Sequence, residues 1–357
     1  MAARRAKPLL EALAIVAPGQ PLREGLDRII KAKMGALIVV GDGPDVLNIC
    51  SGGFLLDAAF SPQRLSELAK TDGAIILAPD ASRIARANVH LVPNPNTPTT
   101  ETGTRHRTAE RVARSIGVPV ISVSEDMAVL TVYMNEFKHQ LEPIPAILSR
   151  CNQALSTLER YRLRLEEVAN RLAAIEVEDL VTVRDVVILL QRTEIVMRIS
   201  DEIERYLVEL GTDGRLVRLQ LRELMAGVED DRRMLVLDYF QPDASWNLEQ
   251  AMATLTDLEM EELLEPEAVA EALHLSGGTK DVDGSLQPRG YRMLSKVPRL
   301  PEQQVNNLVD TFHTLDKLLR ASLGDLAGVD GVGEQWAEII KDALSHITES
   351  SILDRYS

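Results

Sequence analysis

Residues 102–108 bring together side chains that bind phosphate well. The run reads Thr-Gly-Thr-Arg-His-Arg-Thr and is followed at once by the helical pattern AERVARSIG. Its donors are two guanidiniums, an imidazole and two hydroxyls, from Arg105, Arg107, His106, Thr104 and Thr108. Because a helix N-terminus also favours anions, the sequence predicts a polyphosphate site directly before this helix. The alternative is a solvated helix cap without a ligand.

A second candidate site lies at Asp72-Gly73-Ala74, where an acidic residue and a glycine open the apolar run AIIL. A carboxylate placed directly before a buried strand lies at an end of the sheet. There it could hold a divalent cation or take the proton of a hydroxyl group. An Asp-Gly pair is also a common turn, which is the alternative interpretation.

Common phosphate-binding and metal-binding motifs are absent from the sequence. The pattern G-x-x-x-x-G-K-[ST] does not occur, and Gly-Gly-Thr-Lys at residues 277–280 imitates only its end without a preceding strand. The pattern G-x-G-x-x-G is also absent, and the histidines show no metal-ligand spacing. A P-loop is therefore excluded. A nuclease or phosphodiesterase is disfavoured, since no clustered carboxylates or His-Asp set appears for a two-metal centre.

The net charge of −15 is concentrated in the middle of the chain. Residues 143–287 carry 15 basic and 29 acidic side chains, whereas residues 1–142 and 288–357 have net charges of +1 and −2. Both ends are therefore electrostatically free to approach phosphates, although a generally basic nucleic-acid coat is excluded. A hydrophobic content of 45% excludes global disorder. We interpret the acidic middle as solvated helix faces, with an acidic partner-binding surface as the alternative.

Over residues 1–144, short β-branched runs alternate with helical stretches, which is typical of an α/β domain. Gly-Asp-Gly-Pro at residues 41–44 predicts a hairpin between the first two runs, and hence a mixed sheet. Ser61 followed by Pro62 predicts a helix that begins there and continues to about Lys70. The predicted strands are ALIVV from Ala36, VLNIC from Val46, AIIL from Ala74, VPVISV from Val118 and VLTVYM from Val129.

The middle of the chain is predicted to be helical. From Leu148 to Ile175, apolar residues recur every three or four positions and mark one face of a long helix. Thr182, with Asp185 three residues later, predicts the start of a helix that continues to about Gly211. LVRLQLRELMAG and the acidic TDLEMEELLEP predict further helices. This region is therefore interpreted as a helical spacer.

An internal repeat follows SGGTKDVDGS, a stretch from Ser276 that predicts a flexible boundary. LSKVPRLPEQQVNNL from Leu294 aligns with LAGVDGVGEQWAEII from Leu326 at an offset of 32 residues. Two copies of one helical unit are implied. The second copy has Gly331-Val332-Gly333 between two helices and resembles the helix-hairpin-helix family over its whole length.

The glycines of that motif matter because a hairpin without side chains lets backbone N–H groups meet a phosphate beside a helix N-terminus. The first copy has Arg299 and Pro301 at the glycine positions, which predicts a packing role and a point contact from Arg299. Since a locally basic stretch, residues 288–320, accompanies the motif, we predict DNA binding that is independent of sequence. A hairpin used only for protein contacts is the alternative. The predicted DNA-binding residues are Gly331, Val332, Gly333 and Arg299.

Signals for membranes and secretion are weak. The apolar runs are shorter than the roughly 20 residues that span a bilayer, so no membrane insertion is predicted. Cys50 and Cys151 are too few for a disulfide framework or a cysteine metal cage, which favours a reducing cytoplasm. Basic residues before LLEALAIVA imitate a secretory leader, but Glu11 and the apolar spacing suit an amphipathic helix better.

Taken together and in this order, DGA at residues 72–74 and RHR at residues 105–107 resemble the paired signatures of the diadenylate cyclase domain. The whole arrangement is similar to that of the bacterial DNA-integrity scanning proteins over nearly all of the chain. This resemblance implies an α/β diadenylate cyclase domain with a mixed sheet at residues 1–144. It further implies an all-α spine at residues 145–287 and a tandem helix-hairpin-helix DNA-binding domain at residues 288–357.

The resemblance also implies an activity: condensation of two ATP into cyclic di-AMP and two pyrophosphates, with Mg²⁺ or Mn²⁺ as cofactor. Asp72 then supports the metal and activates the ribose 3′-hydroxyl, while His106 is a phosphate donor rather than a general base. The implied catalytic residues are Asp72, Arg105, His106 and Arg107. The implied ATP-binding residues are Asp72, Gly73, Ala74, Leu91, Thr104, Arg105, His106, Arg107, Thr108 and Ser124.

An oligomer follows from the chemistry of the product. Because cyclic di-AMP has two equivalent halves, two ATP-loaded protomers are expected to face each other about a twofold axis. The resemblance implies that such pairs assemble into an octamer, that branched or damaged DNA lowers cyclase output, and that the protein acts in the cytoplasm at the nucleoid. The alternative is a non-enzymatic DNA-repair scaffold whose first domain senses nucleotide.

Overall fold

The apolar run at Ala36 forms β1 (Ala36–Val40), a strand in which every residue is buried. The structure is a computed structural model that describes residues 2–240, 247–275 and 282–355. The chain divides into two units, of which the first comprises residues 1–153 and 202–220, and the second residues 154–201 and 221–357. Of the stretch predicted as a flexible boundary, residues 276–281 lie outside the described part of the chain.

One mixed sheet forms the centre of the first unit. Its other strands are β2 (Cys50–Ser51), β3 (Phe54–Ala59), β4 (Ala74–Leu77), β5 (Arg83–Leu91), β6 (Val120–Val123), β7 (Leu130–Met134) and β8 (Phe137–Gln140). Their order is β2-β5-β4-β1-β6-β7-β8, with β3 paired to β5. β1 pairs with β4 in parallel, and the other pairs are antiparallel. The predicted mixed α/β sheet is therefore confirmed.

Helices cover both faces of this sheet. They are α1 (Ala2–Ile15), α2 (Pro21–Lys31), α3 (Pro44–Asn48), α4 (Pro62–Leu68) and α5 (Thr104–Ile116). On β1, Ile38 joins the core with α1, α2 and α4, whereas Leu37 and Val39 join the core with α3 and α5. This alternation follows from the twofold period of a strand. The predicted amphipathic helix at the start is confirmed, because Ala12 and Leu13 of α1 are buried.

The predicted second strand, VLNIC, is wrong. Its first residues belong to α3, and only Cys50 and Ser51 are extended. Gly43 is the N-cap of α3 and Pro44 its first residue, where the fixed φ of proline favours a helix. The predicted hairpin at residues 41–44 is also wrong, and the sheet is mixed because β1 pairs with β6 instead. The helix predicted at Ser61 is confirmed as α4, with the Ser61 side chain accepting from the backbone N–H of Arg64.

The middle of the chain is helical, as predicted. Its helices are α6 (Ile144–Val177), α7 (Val183–Leu210), α8 (Arg215–Met225), α9 (Val228–Tyr239), α10 (Leu248–Asp257), α11 (Met260–Leu264) and α12 (Pro266–Ala272). The predicted capping pair is confirmed, since the Thr182 hydroxyl donates to the Asp185 carboxylate at 2.5 Å. The helical prediction for TDLEMEELLEP is confirmed, with a break between Asp257, where α10 ends, and Glu259, the N-cap of α11. None of the described helices is long and apolar enough to cross a membrane.

Five further helices complete the second unit: α13 (Tyr291–Ser295), α14 (Glu302–Phe312), α15 (Leu315–Arg320), α16 (Leu323–Ala327) and α17 (Gly333–Arg355). The carboxylate of Asp238 in α9 accepts the first backbone N–H groups of α13, from Gly290 at 2.7 Å and Tyr291 at 2.6 Å. Arg292 also pairs with Glu176 of α6, and both side chains are buried. The predicted domain boundaries after residues 144 and 287 remain predictions.

Candidate active site

The pairing of β1 with β4 places Asp72 at one end of the sheet. Ile38 is aligned with Ile75 in parallel register. Gly35 directly precedes β1, and Asp72 lies two residues before β4, so both residues lie at the edge of the sheet where these two parallel strands begin. Gly35 was not among the residues predicted from the sequence.

Ser124 lies at the same edge of the sheet. In the antiparallel pairing of β1 with β6, Ala36 is aligned with Val123, so Gly35 and Ser124 are the first residues beyond this end of the ladder. The Ser124 hydroxyl accepts a hydrogen bond from the backbone N–H of Met127 at 3.3 Å. Asp72 and Ser124, which are 52 positions apart in the sequence, therefore lie at the same edge of the sheet.

Leu91 lies at the same end of the sheet. It is the last residue of β5, which pairs with β4 in antiparallel fashion, and it is aligned with Cys50 of β2. The Leu91 side chain is buried in the apolar core beneath the sheet. It can therefore support a nucleotide only through its backbone or through the small exposed part of its side chain.

Gly73 allows β4 and β5 to approach closely. A Cβ atom at Gly73 would lie 2.4 Å from the Cα atom of Asn88 and 2.6 Å from the backbone nitrogen of Val89. Asn88 itself has a left-handed backbone, with φ of 53°. The absence of a side chain at residue 73 is therefore required by the sheet, independently of any nucleotide. Ala74, the next residue, is buried.

Arg105 reaches this end of the sheet from α5. A Cβ atom on Gly35 would lie 2.3 Å from Nη1 of Arg105, so the guanidinium rests directly on the Gly35 backbone. Nη1 also lies 3.7 Å from Oε2 of Glu125, the residue after Ser124. The structure thus places the Arg105 guanidinium on Gly35, at the same edge of the sheet as Asp72 and Ser124. Glu125 is a second carboxylate there that the sequence analysis missed.

The RHR segment is the first turn of α5 rather than a loop before it. Gly103 is the N-cap and makes no side-chain capping bond, and the first backbone bond of the helix runs from Arg107 N–H to Gly103 C=O at 2.8 Å. The N–H groups of Thr104, Arg105 and His106 precede that bond. As the first donors of a helix they have no intrahelical acceptor and can bind an anion.

The side chains of this turn are unequally available. Those of Thr104 and Arg107 are exposed, and the Arg107 guanidinium has no partner among the residues that the structure describes. The Thr108 hydroxyl donates to the C=O of Thr104 at 2.9 Å, which leaves only its acceptor capacity for a ligand. Arg107 is therefore the freest cation of the turn.

His106 is packed rather than free. Its ring meets the ring of Tyr133 edge to face, with centroids 6.5 Å apart and an interplanar angle of 72°. Burial lowers the pKa of His106, and the nearby charges of Lys138 and Arg105 lower it further, whereas Glu101 opposes them. The imidazole is therefore neutral at pH 7, and one ring nitrogen carries the proton.

Asp72 suits a divalent cation. Its side chain is exposed, and within the described part of the chain its carboxylate has no hydrogen-bond or ion-pair partner. Mg²⁺ is bound through one or two carboxylates together with substrate phosphates, rather than by an all-protein cage. No group of three potential ligands is present among the described residues, and this chemistry does not need one. Asp72 therefore supplies one exposed carboxylate of the kind that such a metal uses.

The C-terminal repeat is present in the structure as two hairpins. The first hairpin consists of α13 and α14, and the second of α16 and α17. Aligned positions of the two copies share one core, in which Leu294 and Leu326 are fully buried. Arg299 and Gly331 are also aligned, and both have left-handed backbones, with φ of 61° and 78°. The arginine therefore adopts the conformation of the glycine that it replaces.

The turn of the second hairpin is held from behind. Gln304 of the first hairpin donates to the C=O of Gly331 at 2.7 Å, and Asn307 donates to the C=O of Asp330 at 2.9 Å. The Val332 side chain is buried, and its N–H donates to Val329. Gly333 begins α17, and a Cβ atom there would meet nothing within 4 Å. This surface is therefore open to a ligand at Gly333.

The basic excess of residues 288–320 is smaller than the sequence indicates. Arg292 is buried against Glu176, and Arg320 pairs with Asp316 at 2.7 Å. The burial of Arg292 removes one cation from the surface charge that was expected to meet DNA, whereas Arg320 stays exposed. Arg299 is exposed, and no partner of its guanidinium occurs among the described residues.

Known proteins match nearly the whole chain. Family models described as the nucleotide-binding region and the linker region of the DisA bacterial checkpoint controller match residues 23–137 and 141–282, respectively. The DNA integrity scanning protein DisA of Parafrankia sp. is 55% identical over 345 residues, which is 96% of each chain. The protein of the same name from Streptomyces coelicolor is 52% identical over 347 residues, 96% of this chain and 93% of that one. A double mutant of DacA from Staphylococcus aureus, a crystal structure, is 20% identical with a TM-score of 0.28, covering 39% of this chain and 90% of that chain.

A mixed sheet that carries DGA at one end, with RHR in the helix turn beside it, defines the class of diadenylate cyclases. The first domain of the chain is a member of this nucleotidyltransferase class. With more than half of its residues identical to those of relatives along their whole length, the chain belongs to the family of DNA integrity scanning proteins DisA.

Proposed function

We propose that this chain condenses two ATP molecules into cyclic di-AMP, releasing two pyrophosphates, and that its C-terminal hairpins bind DNA. The observation that supports the enzymatic part is that Asp72 and Arg105 lie at the same end of one sheet, with Arg105 resting on Gly35. We assign the metal-binding role to the Asp72 carboxylate and the phosphate-binding role to the Arg105 guanidinium. A nucleoside triphosphate that binds with its metal ion needs a carboxylate for the metal and a cation for the phosphates at the same time.

The first turn of α5 binds the triphosphate. Its free N–H groups and the guanidiniums of Arg105 and Arg107 hold the phosphate oxygens, and His106 adds a ring N–H donor. These donors neutralise charge as pyrophosphate departs, so the turn acts on the leaving group. Arg105 exchanges its contact with Glu125 for a phosphate, which costs little because that pair is long and exposed.

Asp72 acts on the attacking group, the ribose 3′-hydroxyl, rather than on the leaving pyrophosphate. Together with Glu125 it would hold Mg²⁺ or Mn²⁺, which supplies Lewis-acid stabilisation of the phosphate oxygens. The Asp72 carboxylate faces the ribose 3′-hydroxyl and takes its proton, while O3′ forms a bond to the α-phosphorus of the second ATP. The bond from that phosphorus to pyrophosphate breaks, so no covalent intermediate on the protein is needed.

Ring closure needs two protomers. The product consists of two equal halves, so two ATP-loaded domains face each other across a twofold axis and react twice. The wider assembly, an octamer built from such pairs through the helical region, is part of the same proposal. So is its place in the cell, which is the cytoplasm near the nucleoid.

DNA binding is proposed for the two hairpins. Gly331 and Gly333 leave the turn of the second hairpin without side chains, Val332 contributes its backbone, and Arg299 adds a cation from the first hairpin. These contacts are made to phosphates, so branched or damaged DNA is selected by shape rather than by sequence. Binding of such DNA lowers cyclase output, which couples DNA integrity to the level of the messenger.

Product analysis tests the enzymatic proposal. The full chain is incubated with ATP and Mg²⁺ or Mn²⁺, and the nucleotides are separated by chromatography. We expect cyclic di-AMP, and its loss in Asp72→Asn with circular dichroism unchanged. Asp45→Asn is the matched control, because Asp45 is an exposed carboxylate that follows β1 at the opposite end of the strand. Only ADP as product, or full turnover by Asp72→Asn, would overturn the proposal.

A further inference from the structure

Three side chains beside His106 have no part in the function proposed above. The Tyr133 hydroxyl donates to Oε1 of Glu101 at 2.9 Å, and Nζ of Lys138 lies 2.5 Å from the same oxygen. The Glu101 side chain is only 14% exposed, so these contacts are largely sheltered from water. We refer to Glu101, Tyr133 and Lys138 as the Glu101 set.

Tyr133 connects this set to His106. Its residue is fully buried in β7, so its ring is a fixed surface within the core. The edge-to-face contact with the His106 ring is of the kind that aromatic pairs prefer. By accepting from the Tyr133 hydroxyl, Glu101 satisfies the one polar atom of that buried side chain. The orientation of the imidazole thus depends on a tyrosine that Glu101 anchors.

The backbone of Glu101 is tied to the helix that carries His106. The Glu101 N–H donates to the Thr99 hydroxyl oxygen at 3.1 Å, and the Thr99 hydroxyl donates to Glu110 of α5 at 2.6 Å. Glu110 also accepts from the N–H of Thr100 at 3.0 Å and is itself buried. These hydrogen bonds therefore fix the position of the segment before α5 relative to the helix.

The charges around His106 oppose one another. Burial favours the neutral imidazole and lowers its pKa, Glu101 raises this pKa, and Lys138 and Arg105 lower it. Burial alone would raise the pKa of Glu101, but the hydrogen bonds from Lys138 and Tyr133 outweigh it and lower that pKa. Glu101 is therefore ionised throughout the neutral range. The titratable or charged groups that face His106 come from four elements. They are Glu101 of the segment before α5, Tyr133 of β7, Lys138 of β8 and Arg105 of α5.

We propose that Glu101 is a positioning residue for His106. Through Tyr133 it fixes the imidazole ring, and its negative charge favours uptake of a second ring proton when a triphosphate arrives. Neither ring nitrogen is hydrogen-bonded to a residue that the structure describes, so both are available to phosphate oxygens. The role at the triphosphate rests on the proposed cyclase function, whereas the effect on the free imidazole does not.

A pH dependence of ATP binding follows. The imidazole is neutral in the free enzyme at pH 7, and the charge of a bound triphosphate raises its pKa. Between the free and bound pKa values, binding takes up one proton, so ATP affinity falls as the pH rises through this interval. Removing the charge of Glu101 shifts the interval to lower pH.

The test is a histidine titration by NMR in the full chain without nucleotide, with the His106 signal assigned by its loss in His106→Gln. In Glu101→Gln, which keeps the shape of the side chain, we expect the pKa of His106 to fall by about half a pH unit. In Lys138→Met it should rise. Opposite signs are the mark of a charge effect, because simple loosening of the loop would shift both variants in one direction. Glu136→Gln is the control, an exposed carboxylate between β7 and β8.

A second readout links the set to substrate. In Glu101→Gln, the pH at which KM for ATP rises should be lower than in the wild type, whereas kcat should not change. Tyr133→Phe should raise KM at every pH without shifting the pH at which the rise occurs. Shifts of the same sign in the titration, or no shift, would overturn the proposal. An unmoved KM profile would overturn it as well. If the wild-type chain makes no cyclic di-AMP, the proposed function fails, but the titration still decides whether Glu101 controls His106.

Discussion

The guanidinium of Arg105 rests on the backbone of Gly35, with Cζ only 2.8 Å from where a Cβ atom of residue 35 would lie. Since Gly35 precedes β1 and Asp72 precedes β4, which is parallel to β1, this contact holds the proposed phosphate-binding cation at the same end of the sheet as the proposed metal-binding carboxylate. The position of Arg105 therefore depends on the absence of a side chain one strand away from Asp72.

Substitution of this glycine should weaken ATP binding. In Gly35→Ala the methyl group displaces the guanidinium, which is the flexible end of its side chain, so the fold is kept. We expect KM for ATP to rise about tenfold, the equivalent of about 1.4 kcal/mol or one charge-assisted hydrogen bond. Steady-state kinetics measure it. Gly43→Ala is the control, because a Cβ atom there meets nothing within 4 Å. Equal KM values in the two variants would contradict the role of Gly35.

Gly73→Ala should act on stability. Its Cβ atom would collide with the backbone at Asn88 and Val89, and neither strand can move away without breaking the ladder. We expect a loss of about 1–3 kcal/mol in the free energy of unfolding, measured by chemical denaturation of the chain without nucleotide. A variant with wild-type stability but impaired ATP binding would show instead that only the nucleotide requires this glycine.

The sequence predicted the chemistry of the site better than its geometry. The side chains of Asp72 and Arg105 were identified from their types and motifs, but the contact with Gly35 depends on strand register, which a single sequence does not contain. Glu125 was missed because an exposed acid after a strand has no distinguishing pattern. The strand FLLDAA was missed since its apolar residues Phe54 and Leu55 are exposed, so no buried alternation marks it.

The error at VLNIC has a local cause. Val46 is buried on the inner face of a short helix, and one buried valine in an apolar run fits a strand equally well. Long helices were predicted correctly because their apolar period repeats many times. The repeat at the C-terminus was also predictable, since an offset that aligns buried positions such as Leu294 and Leu326 records the packing itself.

Arg299→Gly should separate stability from DNA binding. The left-handed backbone of Arg299 costs about 1–2 kcal/mol for a side chain other than glycine, so glycine should raise Tm. The same change removes a cation from the proposed DNA surface. Affinity for a four-way junction should fall, and the slope of log affinity against log salt should become shallower by about 0.9. Raised Tm with unchanged junction binding would remove Arg299 from the interface.

The pair of His139 and Glu209 should make stability depend on pH. Nε2 of His139 lies 2.9 Å from the Glu209 carboxylate, and this nearby carboxylate raises the pKa of His139 against the effect of burial. The stabilisation is fully present below the unfolded pKa of about 6.5 and is lost as pH rises through the higher folded value. Denaturation at pH 6 and pH 8 measures it. His139→Gln should flatten this difference, and an unchanged difference in the variant would contradict the assignment.

The central claim is that triphosphate and metal meet at Gly35, between Asp72 and the first turn of α5. The most direct test is a crystal structure of the full chain with 3′-deoxy-ATP and Mg²⁺, since this analogue lacks the attacking hydroxyl. We expect the phosphates on Arg105, His106 and Arg107, the ribose C3′ facing Asp72, and a second nucleotide opposite from a facing protomer. Nucleotide bound elsewhere, or phosphates pointing away from α5, would contradict the account.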